Sequence, residues 1–62
     1  QVDVHAEAYN IFNQIKKAYE DFDRAKLEEL IPQMDQRVNY LSSEDLNEYY
    51  LILEYVEQPS NG

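Results

Sequence analysis

Residues that could act as acid, base or nucleophile are few and poorly placed in this sequence of 62 residues. His5 is the only histidine, and no serine or cysteine stands beside it to be activated. General acid–base and nucleophilic catalysis both need such a positioned partner. The sequence therefore predicts no catalytic residue and a protein that is not an enzyme.

Carboxylates are plentiful, but their spacing does not match a metal or phosphate site. Asp21–Asp23 is similar to the start of a calcium loop, yet the glycine of such a loop is missing and Pro32 stands where its bidentate glutamate belongs. Glu28 and Glu29 are adjacent, so a helix would point them in different directions. The chain also has no cysteine and no glycine-rich phosphate loop. We expect no metal and no cofactor.

The balance of charge restricts the kind of partner. Thirteen acidic and five basic residues give a net charge of −8, whereas binding to nucleic-acid phosphates needs stripes of lysine or arginine. The segment from Ser42 to Glu57 holds five of the acids and no base: Glu44, Asp45, Glu48, Glu54 and Glu57. This pattern excludes nucleic acid and favours a protein partner with basic residues around its docking site, although an acidic surface also serves solubility alone.

Length and composition indicate one small domain. A chain of this size buries only about 60% of the surface that its unfolded form exposes, and without cysteine it has no disulfide to compensate. No apolar run reaches the length of a membrane span, and no basic-then-apolar leader is present. We expect a cytoplasmic protein that does not bind membranes, with one domain over residues 1–58 and a tail or linker at 59–62.

Three apolar series at helical spacing predict an all-α fold, an antiparallel three-helix bundle. The predicted helices are Val4–Asp21, Arg24–Tyr40 and Ser43–Glu57. Asp23 is expected to cap the second helix. Pro32 lies within that helix and predicts a kink just before the proline. A break at which Pro32 begins a new helix is the alternative, but the apolar series continues in phase across the proline and favours the kink.

The clearest local signal marks the start of the third helix. Ser42 is a predicted N-cap, and Asp45 follows three residues later as a short version of the capping box. Leu41 and Leu46 have the spacing of the hydrophobic staple that often accompanies such a cap. Acidic residues in the first turn also suit the positive end of the helix dipole.

The third helix predicts both a core face and a binding face. Its predicted core face comprises Leu46, Tyr49, Tyr50, Ile52, Leu53 and Val56. In the second helix, Leu30 and Met34 are predicted core residues. Leu51 and Tyr55 lie roughly opposite, four residues apart, and form an adjacent exposed pair. Together with three acids they are the predicted partner-binding residues: Glu44, Asp45, Glu48, Leu51 and Tyr55. Single exposed apolar residues are also common without any function.

Asp45–Tyr55 (DLNEYYLILEY) resembles the third helix of the N-terminal bundle in Rap proteins, the peptide-regulated, tetratricopeptide-containing regulators of Bacillus and its relatives. There an acidic segment ends in Asp-Leu, followed two residues later by a tyrosine pair and an aliphatic-Glu-aromatic run. Upstream, Ala25 and Leu27–Leu30 take the places of alanine and leucine positions in the second helix, at a spacing one residue longer. Ile11-Phe12 and Ile15–Lys17 are similar to Trp-Tyr and Ile-Lys-Lys in the first helix.

The resemblance implies a domain that docks on a response regulator, at its receiver or its DNA-binding domain, and inhibits it. In the phosphatase members, a glutamine just before the Asp-Leu step is directed at the aspartyl phosphate and its attacking water. Glu44 occupies that position here, and a carboxylate repels a phosphoryl group and has no amide hydrogen to donate. The implied activity is therefore binding without dephosphorylation. The tetratricopeptide repeats that bind quorum-sensing peptides are not within these residues.

Three other interpretations stay open. The domain could be a structural helical element, in which Leu51 and Tyr55 pack on further helices or on a second copy. The segment from Asp23 to Leu41 would also suit a small export chaperone of the helical-hairpin kind. A DNA-mimicking inhibitor is supported by the net charge alone, and it would form a strongly salt-dependent complex with a basic DNA-binding protein.

Overall fold

A computed structural model describes residues 3–57 of the chain. It contains three α-helices, α1 (Val4–Glu20), α2 (Arg24–Asp35) and α3 (Ser43–Glu57), with a 3₁₀ turn over Val38–Tyr40 between the last two. No β-strand occurs in the described range. The predicted all-α three-helix bundle is confirmed. The expected tail at 59–62 lies outside the described residues.

Contacts between the ends of the helices define the up-down-up topology. Arg37, just after α2, donates to the Glu7 carboxylate near the start of α1 at 2.7 Å. Arg24, the first residue of α2, donates to the carbonyl of Val56 near the end of α3 at 2.6 Å. The end of α2 therefore lies beside the start of α1, and the end of α3 lies beside the start of α2. All three helices pack around one core.

Helix α1 begins and ends with well-formed caps. The Asp3 carboxylate accepts hydrogen bonds from the backbone N–H groups of His5 at 3.0 Å and Ala6 at 3.3 Å, a cap that the sequence analysis did not identify. At the other end, the N–H of Phe22 donates to the carbonyl of Tyr19 and the N–H of Asp23 to that of Ala18. This pair of bonds is the Schellman motif. It places Phe22 in the left-handed region with φ 57°.

Helix α2 is shorter than predicted. The Asp23 carboxylate caps it by accepting from the Lys26 N–H at 3.1 Å, as expected. Pro32 lies inside the helix and does not begin a new one. The prediction of a helix to Tyr40 is wrong, because α2 ends at Asp35 and a 3₁₀ turn follows. Arg37, with φ −127°, leaves the helical conformation and donates to the Gln33 carbonyl at 2.7 Å.

The predicted cap of α3 is confirmed. The Asp45 N–H donates to Ser42 Oγ at 3.2 Å, and the Ser42 hydroxyl donates to Asp45 Oδ2 at 3.0 Å. The backbone N–H of Ser42 donates to the Tyr9 hydroxyl of α1 at 3.2 Å. The cap therefore also anchors the start of α3 to α1.

The core draws mostly on α1 and α2. Its buried members are Ala8, Ile11, Phe12, Ile15, Ala18, Leu27, Leu30, Met34, Leu41, Tyr49 and Ile52. Leu30 and Met34 are buried as predicted. Leu46 and Leu53 are only half-buried and pack at the edge of this cluster, so their prediction as fully buried core was too strong.

Candidate protein-interaction surface

Helix α3 is rotated about its axis relative to the prediction. Tyr49 and Ile52 are buried as expected. Tyr50, predicted in the core, is 52% exposed. Tyr55, predicted to be exposed, is half-buried and packs against the core. The buried arc is displaced by roughly half of the 100° step between successive residues, which turns Tyr55 inward and Tyr50 outward.

A buried tyrosine holds α3 in this rotation. The Tyr49 ring is fully buried, and its hydroxyl donates to the Asp35 carboxylate at 2.8 Å and lies 3.3 Å from the Ile31 carbonyl oxygen. Burial, reinforced by the hydrogen bond to Asp35 and its negative charge, raises the pKa of Tyr49 far above the ordinary value for tyrosine. The hydroxyl therefore stays protonated, and its hydrogen bond to Asp35 holds α3 against the end of α2.

A second set of contacts turns Tyr55 inward. Its ring meets the ring of Tyr19 edge-on, with centroids 5.3 Å apart, a favourable arrangement for aromatic pairs. The Arg24 guanidinium lies 5.8 Å from the centroid of Tyr55 while it bonds the carbonyl of Val56. Tyr55 therefore joins α3 to both other helices, and the predicted exposed pair of Leu51 and Tyr55 does not form.

The exposed side of α3 is here termed the outer face and comprises Glu44, Asn47, Glu48, Tyr50, Leu51 and Glu54. Tyr50 and Leu51 lie next to Asn47 on one side and Glu54 on the other, each three or four positions away along the helix. Leu51 is 65% exposed, more than any other apolar residue of α3. The outer face thus presents an aromatic ring and an aliphatic side chain among carboxylates.

The predicted binding residues divide between this face and the interior of the bundle. Glu44, Glu48 and Leu51 are exposed on the outer face. Asp45 is half-buried and bonds Ser42 in the helix cap, and Tyr55 packs on α1 and α2. The sequence analysis missed Tyr50. Apolar spacing does not distinguish it from Tyr49, because residues about 100° apart on a helix can both face the core, as the buried neighbours Ile11 and Phe12 do.

The basic side chains lie on the other helices and in the connection after α2. Lys17 and Lys26 stand within 4.0 and 3.9 Å of Asp21 and Glu29, and the Lys16 ammonium lies 5.0 Å from the centroid of Phe12. Helix α3 itself contains no base. The carboxylates of the outer face are therefore not neutralised from within their own helix.

Two classes of site are not found within the described part of the chain. Residues 3–57 contain no group of three or more histidine, aspartate or glutamate side chains that could hold a metal ion. None of the helices in that range is long and apolar enough to cross a bilayer.

Comparison of the chain with protein-family models, with curated proteins and with solved structures finds no match.

Proposed function

We propose that this domain is a protein-binding module that docks through the outer face of α3 on a partner with basic residues around its binding site. The observation that carries the proposal is the exposure of Tyr50 and Leu51 on a helix with five acids and no base. Neither side chain is buried in the core, although the Tyr50 ring lies 6.0 Å from the ring of Tyr49. At an interface such exposed apolar side chains act as anchors, which supply most of the binding energy.

The two kinds of residue on the outer face have different roles in this proposal. Tyr50 and Leu51 are the anchors, since tyrosine is enriched at interfaces and brings large contact area with few torsions to immobilise. Glu48 and Glu54 form the rim, where charges mainly steer association and exclude wrong partners. A partner that fits has an apolar depression bordered by lysine or arginine.

The partner class we propose first is a response regulator, and this step rests on the resemblance of Asp45–Tyr55 to the Rap bundle. Inhibition would then be by masking the regulator surface. Glu44 is exposed in the first turn of α3, and a carboxylate there is unsuited to approach an aspartyl phosphate. We therefore expect binding without accelerated dephosphorylation. If the chain accelerated dephosphorylation of a phosphorylated regulator, the expectation of binding without phosphatase activity would be wrong.

The test is a binding assay against a panel of response regulators from Gram-positive bacteria. Replacing Tyr50 and Leu51 together by serine should weaken binding at least about 30-fold, or about 2 kcal/mol. Val4→Ser is the matched control, because Val4 is also exposed but lies at the start of α1. Replacing Glu48 and Glu54 by glutamine should mainly slow association and reduce its dependence on salt.

Circular dichroism should show that the double serine variant remains folded, since both side chains are exposed. If that folded variant binds a confirmed partner as tightly as the parent, the outer face is not the docking surface. If no regulator in the panel binds but another protein does through Tyr50 and Leu51, the docking face stands and the assignment of the partner class is wrong.

A further inference from the structure

Tyr50 and Glu54 form an adjacent pair on the outer face of α3. They lie four positions apart, so their Cβ atoms are about 6 Å from each other. Helical side chains lean toward the N-terminus of their helix, which directs the Glu54 carboxylate toward the turn that carries Tyr50. Glu48 does not belong to this pair, because it lies two positions from Tyr50 and about 160° away around the helix.

The Tyr50 ring is supported by its own helix and still open to solvent. It meets the ring of the fully buried Tyr49 at an angle of 40°, while its own side chain stays exposed. The contact with a fixed neighbour restricts the motion of the Tyr50 ring. A group that binds there therefore meets an aromatic surface whose ordering is already partly complete, which lowers the entropic cost of binding.

The Glu54 carboxylate has no cation of its own chain beside it. No ion pair within residues 3–57 includes Glu54. The pairs found in that range join His5 to Asp3, Lys17 to Asp21, Lys26 to Glu29 and Arg37 to Glu7. An exposed carboxylate without a cation thus lies one helical turn after an exposed aromatic ring.

An arginine already binds this combination of groups on the inner side of α3. The Arg24 guanidinium lies 5.8 Å from the centroid of the Tyr55 ring, and it donates to the carbonyl oxygen of Val56 at 2.6 Å. It therefore contacts a tyrosine ring and an oxygen acceptor of the same helix. Tyr50 and Glu54 offer the same two groups on the outer face, with a charged acceptor in place of the carbonyl.

We propose that Tyr50 and Glu54 bind an arginine side chain of the partner and distinguish arginine from lysine. This inference rests on the proposed function, since it names the residue type that the outer face receives. A guanidinium is planar, so its face can stack on the Tyr50 ring while its edge donates hydrogen bonds to the Glu54 carboxylate. A lysine ammonium is a compact, strongly hydrated charge with no planar face to stack.

The preference for arginine should be modest because the site is exposed. A cation over an exposed ring and an exposed ion pair each change affinity by a factor of about 2–5. Glu54 then has two effects on binding. Its charge speeds association, as proposed for the rim, and its contact with arginine slows dissociation by a factor of about 2–5.

Titration of the isotope-labelled chain with hexa-arginine and, separately, with hexa-lysine tests the proposal through amide chemical shifts. The parent should bind hexa-arginine about 3–10 times more tightly, with the largest shift changes around Tyr50 and Glu54. Tyr50→Leu keeps an apolar side chain but removes the ring, and Glu54→Gln removes the charge. Each should reduce the ratio of the two dissociation constants toward unity.

Glu48→Gln is the matched control. It removes the same charge from the same helix but away from Tyr50, so it should weaken binding of both peptides and leave their ratio unchanged. Circular dichroism should show that all three variants are folded, because the replaced side chains are exposed. Equal affinities of the parent for the two peptides would overturn the proposal. A ratio that persists in Tyr50→Leu and Glu54→Gln, or shift changes centred elsewhere, would overturn it as well.

Failure of this inference is distinguishable from failure of the proposed function. If the parent shows no preference for arginine but the Tyr50 and Leu51 double serine variant loses affinity for a confirmed partner, the docking face stands and the arginine assignment is wrong. If the parent prefers arginine through Tyr50 and Glu54 but that double variant binds the partner as tightly as the parent, the arginine site stands and the proposed function is wrong.

Discussion

Tyr49→Phe removes one buried hydroxyl. It should lower the free energy of unfolding at neutral pH, and it should remove the contribution of Tyr49 to the decline of that free energy at alkaline pH. The substitution keeps the ring and opens no large cavity. It deletes the hydrogen bond to the Asp35 carboxylate at 2.8 Å. Hydrogen bonds to charged groups contribute about 1.5–3 kcal/mol, and the exposed Asp35 recovers part of that from water. We expect a loss of about 1–2 kcal/mol at pH 7.

The alkaline effect follows from the raised pKa of Tyr49 in the folded state. In the unfolded chain tyrosine titrates near its ordinary pKa of about 10. Below that pH the hydroxyl is protonated in both states, so its stabilising contribution is complete. Above it the unfolded chain loses the proton first, and the contribution declines by up to about 1.4 kcal/mol per pH unit. It is lost as the pH rises through the raised folded pKa.

Urea unfolding followed by circular dichroism at pH 7 and at several values between about pH 10 and about pH 11.5 checks both statements. The parent and the Phe variant should differ most at pH 7 and converge at alkaline pH. Tyr50→Phe is the control, since its exposed hydroxyl should change stability by less than about 0.5 kcal/mol. Parallel curves for the parent and Tyr49→Phe would refute the reasoning, as would equal stability at neutral pH.

Two further predictions concern packing and the α1–α2 turn. Ile52→Ala should lower the free energy of unfolding by about 2–5 kcal/mol because Ile52 is buried. Leu53→Ala should lower it by only about 1–2 kcal/mol because Leu53 is half-buried. Thermal melts that rank the two variants in the opposite order would show that α3 does not bury Ile52 more deeply than Leu53. Phe22→Gly should raise the free energy of unfolding by about 0.5–1 kcal/mol through relief of the left-handed backbone. Urea unfolding measures this change, and a loss of stability would show that the ring packs on its own chain.

The starts of α2 and α3 are predictable from local chemistry. Asp23 and Ser42 were identified as N-caps, and both accept the expected backbone hydrogen bonds. The ends of α1 and α3 also follow from where the apolar series stop. These features depend on residues within one turn of each other, so no knowledge of the fold is needed to infer them.

The end of α2 is not predictable in this way. The apolar spacing continues to Leu41 as if the helix did too. Arg37 instead turns away to bond Glu7 at the far end of the previous helix and the carbonyl of Gln33. A contact between residues thirty positions apart is a property of the assembled bundle. It overrides the local preference for continued helix.

The rotation of α3 also depends on tertiary contacts. The sequence predicts Leu51 as exposed, which is confirmed. It wrongly predicts Tyr50 as buried and Tyr55 as exposed. Apolar residues occupy much of the circumference of α3, so periodicity alone leaves its orientation poorly determined. Asp35 selects Tyr49 for the interior, and Tyr19 with Arg24 selects Tyr55.

The small share of the core that α3 supplies has a consequence for motion. Only Tyr49 and Ile52 of α3 are buried, against five residues of α1 and three of α2. The hydrogen bond between Ser42 and Tyr9 and the edge-on contact of Tyr55 with Tyr19 hold its two ends. Opening energies within a protein follow local burial. Amide hydrogens of α3 should therefore exchange with solvent before those of the α1–α2 hairpin, so the helix that carries the outer face can adjust to a partner while the hairpin stays folded.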